Sequence, residues 1–129
     1  MKAQSSKAKG RRLQQWVRDK LYEYFPTLEP GDVRSTSMGA GGEDLQLSPY
    51  ARRLFPFTVE CKNVEKLNIW AAYDQACEHE DATPLVVLKK NGRSPLVAID
   101  AETFICMIAN LGNGDSLQPP LFSEVSSED

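Results

Sequence analysis

Along the first part of the chain, apolar residues recur at three- and four-residue spacing: Leu13, Trp16, Val17, Leu21 and Tyr24. That spacing predicts a helix over about 9–25, with Arg11, Gln15 and Arg18 on its other face. Pro26 and Pro30 end it, because neither supplies a backbone N–H to a helix. The period then changes to two. Val33 to Thr36 predicts a short strand, and Gly39-Ala40-Gly41-Gly42 a flexible connection. Over 44–48, Leu45 and Leu47 face one way while Asp44, Gln46 and Ser48 face the other. Over 57–62, Phe57, Val59 and Cys61 share one face and Thr58, Glu60 and Lys62 the other. Ser48 to Arg53, between these two strands, predicts a turn with two exposed bases.

A second helix is expected over Leu67 to Glu80, with Ile69, Trp70, Ala72, Tyr73 and Ala76 supplying apolar contacts. Pro84 to Lys90 is a nearly continuous apolar strand, as expected when both faces are covered. Asn91-Gly92 marks a turn, and Leu96 to Ile99 a further strand. Asp100 is placed to cap a helix running to Asn110, with Phe104, Ile105 and Ile108 facing inward. The order α-β-β-β-α-β-β-α predicts an α/β (α+β) fold, a mixed central sheet flanked by helices.

A chain of 129 residues suits one compact domain. The expected organisation is a flexible basic arm over 1–8, a folded domain over 9–111 and an acidic, flexible tail over 112–129. The net charge of −3 does not advertise a nucleic-acid binder, but its distribution allows one. Lys2, Lys7, Lys9, Arg11, Arg12, Arg18 and Lys20 crowd the start of the chain, while acids collect at its end. No apolar run approaches the ~20 residues that span a bilayer. No apolar segment follows the basic start, so a secretory signal is not expected and a cytoplasmic location is (the host cytoplasm for a phage product). Cys61, Cys77 and Cys106 lack the spacing of a disulfide framework or a zinc site, and are read as small core residues. Gly39 to Gly42 is followed by no Gly-Lys-Ser/Thr, which removes a nucleotide P-loop.

Glu60 and Lys62 protrude from the same face of one strand, about 7 Å apart along it. If 44–48 pairs with 57–62 as an antiparallel hairpin, Asp44 lies beside Glu60. Two carboxylates converging there make a hard-oxygen site suited to Mg²⁺ or Mn²⁺, with the Cys61 carbonyl as a further oxygen. Lys62 is then placed to orient water or to neutralise charge on a phosphate. A solvent-facing Glu–Lys pair is the competing explanation, common and worth little. The glycine-rich approach to Asp44 and the Gln75-bearing helix directly after Glu60-Cys61-Lys62 favour the site.

Asp44, then Glu60-Cys61-Lys62, then a helix carrying Gln75-Ala76, resembles the PD-(D/E)XK nuclease superfamily over roughly residues 9–110. The resemblance is to its small phage and archaeal branch, which includes Holliday-junction resolvases and VRR-NUC-type endonucleases. It implies a restriction-endonuclease-like αβββαβ core. It implies Asp44 and Glu60 as metal ligands, Lys62 as the catalytic lysine and Gln75 as an auxiliary residue near the phosphate. It implies a Mg²⁺-dependent endonuclease, with Mn²⁺ as substitute, that leaves 5′-phosphate and 3′-hydroxyl ends. Glu43-Asp44 stands where the family has Pro-Asp, and alternation selects Asp44 over Glu43. Many members place a glutamate on the first helix; Gln15 and Arg11 occupy that face here, which disfavours a second metal.

The expected substrate is branched DNA, above all a four-way junction, read by shape and phosphate contacts. Cutting two arms calls for a symmetric homodimer. The alternatives are a nuclease on linear, flap or single-stranded DNA, and a non-catalytic DNA-binding module. Arg11, Arg12, Ser37, Arg52, Arg53 and Lys90 are the candidate DNA contacts, with Lys89 and Arg93 near them. His79, the single histidine, follows Gln75 by one helical turn and is read as a surface residue. Trp16 and Trp70 are read as core aromatics rather than base-stacking platforms. Gln118, Leu121 and Phe122 form a Gln-x-x-Leu-Phe pattern in the tail, similar to peptides that dock on bacterial sliding clamps.

Overall fold

The computed structural model describes residues 6–36, 44–79 and 82–112. Ser37, Glu43 and the possible clamp-binding residues Gln118, Leu121 and Phe122 lie outside the described residues. The chain divides into two compact units, Met1–Ala98 and Ile99–Asp129.

The first unit is mixed α/β. Helix α1 runs Ser6–Tyr24, so it begins inside the stretch expected as an arm. Its buried stripe is Leu13, Val17 and Leu21, at the four-residue step of one helix face. Trp16 was expected in that stripe but is 43% exposed, because one residue before Val17 is about 100° around the helix. Gln14 is buried instead, and its Oε1 accepts the Ser35 hydroxyl at 2.9 Å. Strands β1 (Val33–Ser35) and β2 (Leu45–Leu47) pair antiparallel, Ser35 opposite Leu45.

Residues 49–54, expected as part of a turn, form helix α2 (Pro49–Leu54). Ser48 is its cap: the Ser48 Oγ accepts the Ala51 N–H at 3.1 Å, and Pro49 occupies the first turn, where a missing N–H costs nothing. The Ser48 hydroxyl also donates to Asp32 at 2.7 Å, which ties α2 to the approach to β1. That bond, followed by the Glu29 N–H, holds the Asp32 carboxyl below the usual range.

Strand β3 (Phe57–Asn63) pairs parallel with β4 (Thr83–Lys89), and β4 pairs antiparallel with β5 (Leu96–Ala98). Helix α3 (Ile69–Cys77) makes the crossover that a parallel pair requires. Its Asn68 cap accepts the Ala71 N–H. Ala72 and Ala76 face the sheet and pack with Val86, with Leu67, Tyr73, Leu88 and Ala98 around them. Trp70 was expected among these contacts but is 79% exposed, two residues or about 200° away from Ala72. Helix α1 lies on the opposite face, where the Asn63 amide donates to the Lys9 carbonyl. Both faces of β3 are therefore covered, and Phe57 to Cys61 are all buried. Of the cysteines read as core residues, Cys61 is buried and Cys77 is exposed. Gly92, at φ 76°, supplies the left-handed residue of the β4–β5 turn.

In the second unit, helix α4 (Ala101–Gly112) is capped by Asp100, whose Oδ2 accepts the Thr103 N–H at 2.9 Å. Its buried positions are Thr103 and Met107. Phe104, Ile105 and Ile108, expected to face inward, are exposed; the buried positions of α4 fall on the 103/107 step instead. No helix among the described residues is long and apolar enough to cross a membrane.

Candidate functional site

The expected hairpin between 44–48 and 57–62 does not form: β2 pairs with β1, and β3 with β4. Helix α2 occupies the connection between β2 and β3, so no tight turn joins them. Asp44 nevertheless reaches β3. Its backbone N–H donates to the Val59 carbonyl at 3.2 Å. Its side-chain Oδ2 accepts the Cys61 N–H at 2.6 Å. The Asp44 carbonyl is unsuited to that second bond, because Thr36 donates to it from both N–H and hydroxyl, each at 3.1 Å. The carboxylate thus completes what a paired strand would have supplied. Arg52 closes the next position, its Nη1 donating to the Phe57 carbonyl at 2.6 Å.

Alternation along β3 fixes what faces this edge. Within a strand, the N–H and C=O of one residue point the same way and reverse at the next. The bonds from Asp44 to Val59 and Cys61 show that these residues turn their polar groups away from β4. The Cys61 carbonyl therefore points to the side that Asp44 occupies.

Glu60 and Lys62 project from the α3 face, at the register of Val86 and Leu88. The Glu60 residue is only 3% exposed. Lys62 Nζ stands 3.4 Å from Glu60 Oε2 and remains partly accessible. Burial raises the pKa of Glu60, and the neighbouring Asp44 charge raises it further; Lys62 and His79 oppose the rise. Burial also raises the pKa of Asp44, against the Cys61 N–H, Lys62 and His79. The Cys61 thiol is pushed far up by burial and by the two carboxylates, so it is no nucleophile or thiolate ligand at neutral pH.

The sequence-predicted core of the site, Asp44, Glu60, Cys61 and Lys62, is thus brought together. Gln75 is solvent-exposed on α3 and makes no side-chain hydrogen bond to Asp44, Glu60 or Lys62 among the described residues. His79 is the residue that sequence reasoning undervalued. It follows the inward-facing Ala76 by three positions, is half-buried, and favours the charged form of both carboxylates. The signal was present: His79 follows Ala72 and Ala76 at helical spacing in the sequence, although α3 itself ends at Cys77 and His79 lies just beyond its Glu78 cap. Gln14 was missed as well, although it reaches β1 opposite Leu45, the neighbour of Asp44.

Two carboxylates beside each other, Glu60 buried and Asp44 partly buried, are suited to a divalent cation, which relieves their repulsion. Among the described residues no group of three or more His, Cys, Asp and Glu side chains could hold a metal ion. The protein ligands would be Asp44, Glu60 and the Cys61 carbonyl, the rest of the shell water, a set typical of Mg²⁺. Of the expected DNA contacts, Arg11, Arg12, Arg53 and Lys90 are exposed, and Arg53 lies 5.7 Å from the Tyr50 ring. Arg52 is partly buried by its bond to Phe57. No protein-family model, no curated protein and no solved structure matches this chain.

Proposed function

We propose that this protein is a metal-dependent DNA endonuclease of the PD-(D/E)XK type with a restriction-endonuclease-like core. The observation that carries the reading is the convergence of Asp44 and Glu60, from separate elements, with Lys62 3.4 Å from Glu60. An acidic pair with Glu60 buried and Asp44 partly buried has no packing rationale, since apolar residues of similar volume would serve stability better. The order α1-β1-β2-β3-α3-β4, interrupted by the short α2, also supports it.

In this reading Asp44 and Glu60 hold Mg²⁺, with Mn²⁺ as a substitute. The bound ion would supply Lewis-acid polarisation of the scissile phosphate and acidify a water. The chain's own groups do the rest. The Cys61 N–H fixes the orientation of the Asp44 carboxylate. Lys62, partly accessible, orients the attacking water and offsets negative charge on the phosphate. In its protonated form His79 adds positive potential to the acidic pair. Gln75 can reach a phosphate only from the exposed side of α3, as an outer positioning group. Branched DNA is the preferred substrate, cut by a homodimer.

Calorimetric titration of Mn²⁺ into the protein, followed by incubation with supercoiled plasmid, tests this directly. The expected result is a binding isotherm that Asp44→Asn abolishes, and nicking that EDTA stops. Folded protein that neither binds Mn²⁺ nor nicks would refute the reading.

A further inference from the structure

We propose that the pocket at the carboxyl ends of β3 and β4 binds the nucleotide next to the one held at Lys62, taking its phosphate on Lys90 and Arg93 and its sugar and base against Leu67, Leu88 and Leu96. The inference rests on the endonuclease reading, which puts a phosphate at Lys62, and it adds where the strand goes next. The pocket has a volume of about 520 Å³, and these five residues are among its lining. That volume is within the range of ligand pockets, roughly 300–1,000 Å³.

Three observations point to the occupant. First, the pocket shares a face with the candidate site. Leu88 packs against the Ala72, Ala76 and Val86 cluster under α3, and it is the register partner of Lys62. Partners on adjacent strands stand about 4.8 Å apart with their side chains on one face. Leu88 is therefore beside Lys62 and also lines the pocket, and Val64, two residues past Lys62, lines it as well. Second, two cations are left over on a fixed turn. The Arg93 N–H and the Lys89 ammonium both donate to the Lys90 carbonyl at 3.1 Å, and Glu65 Oε2 accepts the Asn91 N–H at 2.7 Å. Lys90 and Arg93 are exposed, and neither side chain has a hydrogen bond or ion pair among the described residues. A guanidinium fork and an ammonium at the two ends of one turn suit phosphate oxygens. Glu65, the one acid on the lining, is engaged by the turn itself. Third, the rest of the wall is apolar. Leu67 and Leu88 rim the cluster under α3, and Leu96 is 63% exposed.

A bare polyanion would use Lys90 and Arg93 and leave the leucines uncovered. A free nucleotide would use both but gains nothing from Lys62 beside it. A nucleic-acid strand that passes Lys62 uses all three, because its next unit carries a phosphate and an apolar surface together. Phosphate contacts of this kind fix the position of a strand and carry no sequence information, which fits recognition by shape.

The test uses the full chain in EDTA, where nothing is cut, and a fluorescein-labelled flap DNA followed by anisotropy across a salt series. Lys90→Ala/Arg93→Ala should weaken binding roughly tenfold and lower the salt slope by about one phosphate contact. Arg93→Lys, which keeps the charge and loses the fork, should keep the slope and lose less affinity. Leu96→Ala should weaken binding roughly threefold with the slope unchanged. All three positions are exposed, and circular dichroism checks that each variant is folded. A second set of flap DNAs carries a neutral methylphosphonate at one linkage at a time. At one linkage the substitution should weaken binding to the unmutated protein and make no difference to Lys90→Ala/Arg93→Ala. With Mg²⁺, that linkage should adjoin the one that is cut. Equal losses for both proteins at every linkage, or an unchanged salt slope in the double variant, would overturn the proposal. Displacement of the DNA by polyglutamate or by free dAMP as readily as by unlabelled DNA would overturn it too. Linkage-specific coupling in a protein that never cuts would retain this pocket and remove the endonuclease. Cutting without that coupling would do the reverse.

Discussion

The Asp44 carboxylate accepts the Cys61 backbone N–H at 2.6 Å, across a gap of seventeen residues in sequence. One oxygen of the pair is thereby spent on the edge of β3, and the other is left for a ligand. The two tasks separate by mutation. Asp44→Asn keeps a side-chain acceptor for Cys61 and loses the charge. It should fold normally and lose metal binding, with cleavage down at least about a hundredfold. Asp44→Ala also leaves the Cys61 N–H unpaired. It should be less stable than Asp44→Asn by about 1–3 kcal/mol, measured by urea unfolding without metal.

Glu60 is a cost to the metal-free fold. It is buried beside Asp44, and the Lys62 ammonium offsets only part of that. Glu60→Gln should raise the Tm of the metal-free protein by roughly 2–6 °C while abolishing Mn²⁺ binding and cleavage. A drop in Tm would mean that the Glu60–Lys62 pair is a net stabiliser and that the acidic cluster has a structural purpose.

The pH dependence follows from the same two groups. Asp44 and Glu60 hold their protons more tightly folded than unfolded, since both pKa values are raised from 3.8 and 4.5 respectively. Their contribution to stability is most favourable below the unfolded values and is lost as the pH rises through the raised ones. The metal-free protein should therefore gain stability, relative to Asp44→Asn/Glu60→Gln, on mild acidification from neutrality. Metal binding runs the other way, because it needs both carboxylates ionised. Mn²⁺ affinity should begin to fall at a higher pH than an ordinary carboxylate pair would show. Chemical denaturation and calorimetry across a pH series check both slopes.

Arg52 was expected on DNA, yet its guanidinium donates to the Phe57 carbonyl at 2.6 Å. Arg52→Ala should lower stability by about 1–3 kcal/mol through the partly buried carbonyl it abandons. Arg53→Ala, on the exposed side of α2, should cost less stability than Arg52→Ala and weaken DNA binding with a reduced salt slope. The opposite pattern would make Arg52 the phosphate contact.

Much of this arrangement was legible in the sequence because period and chemistry agreed. Alternation over 57–62 put Glu60 and Lys62 on one face, and the apolar run before Lys89 announced a strand covered on both sides. What failed did so for local reasons. The Ser48-Pro49 pair is a helix start, and reading it as a turn hid α2 and made a β2–β3 hairpin look natural. Asp44 still met Glu60, but through a side-chain bond to Cys61 that no strand register predicts. Aromatic residues were drawn into core stripes by their hydrophobicity, whereas Ala72 and Ala76 are what let α3 lie close on Val86. His79 was passed over because a lone histidine is usually a surface residue; only its three-residue spacing from Ala76, just past the end of α3, distinguishes it.

The most direct measurement is cleavage of a labelled panel by the protein and by Lys62→Ala, with Mg²⁺, with Mn²⁺ and with EDTA. The panel holds a four-way junction, a flap, a linear duplex and a single strand. The expected result is metal-dependent cutting of branched DNA, leaving 5′-phosphate ends. Lys62→Ala should abolish the cutting while leaving DNA binding in EDTA unchanged. Well-folded protein that binds these DNAs and cuts none, with either metal, would contradict the central claim and leave a DNA-binding module in its place.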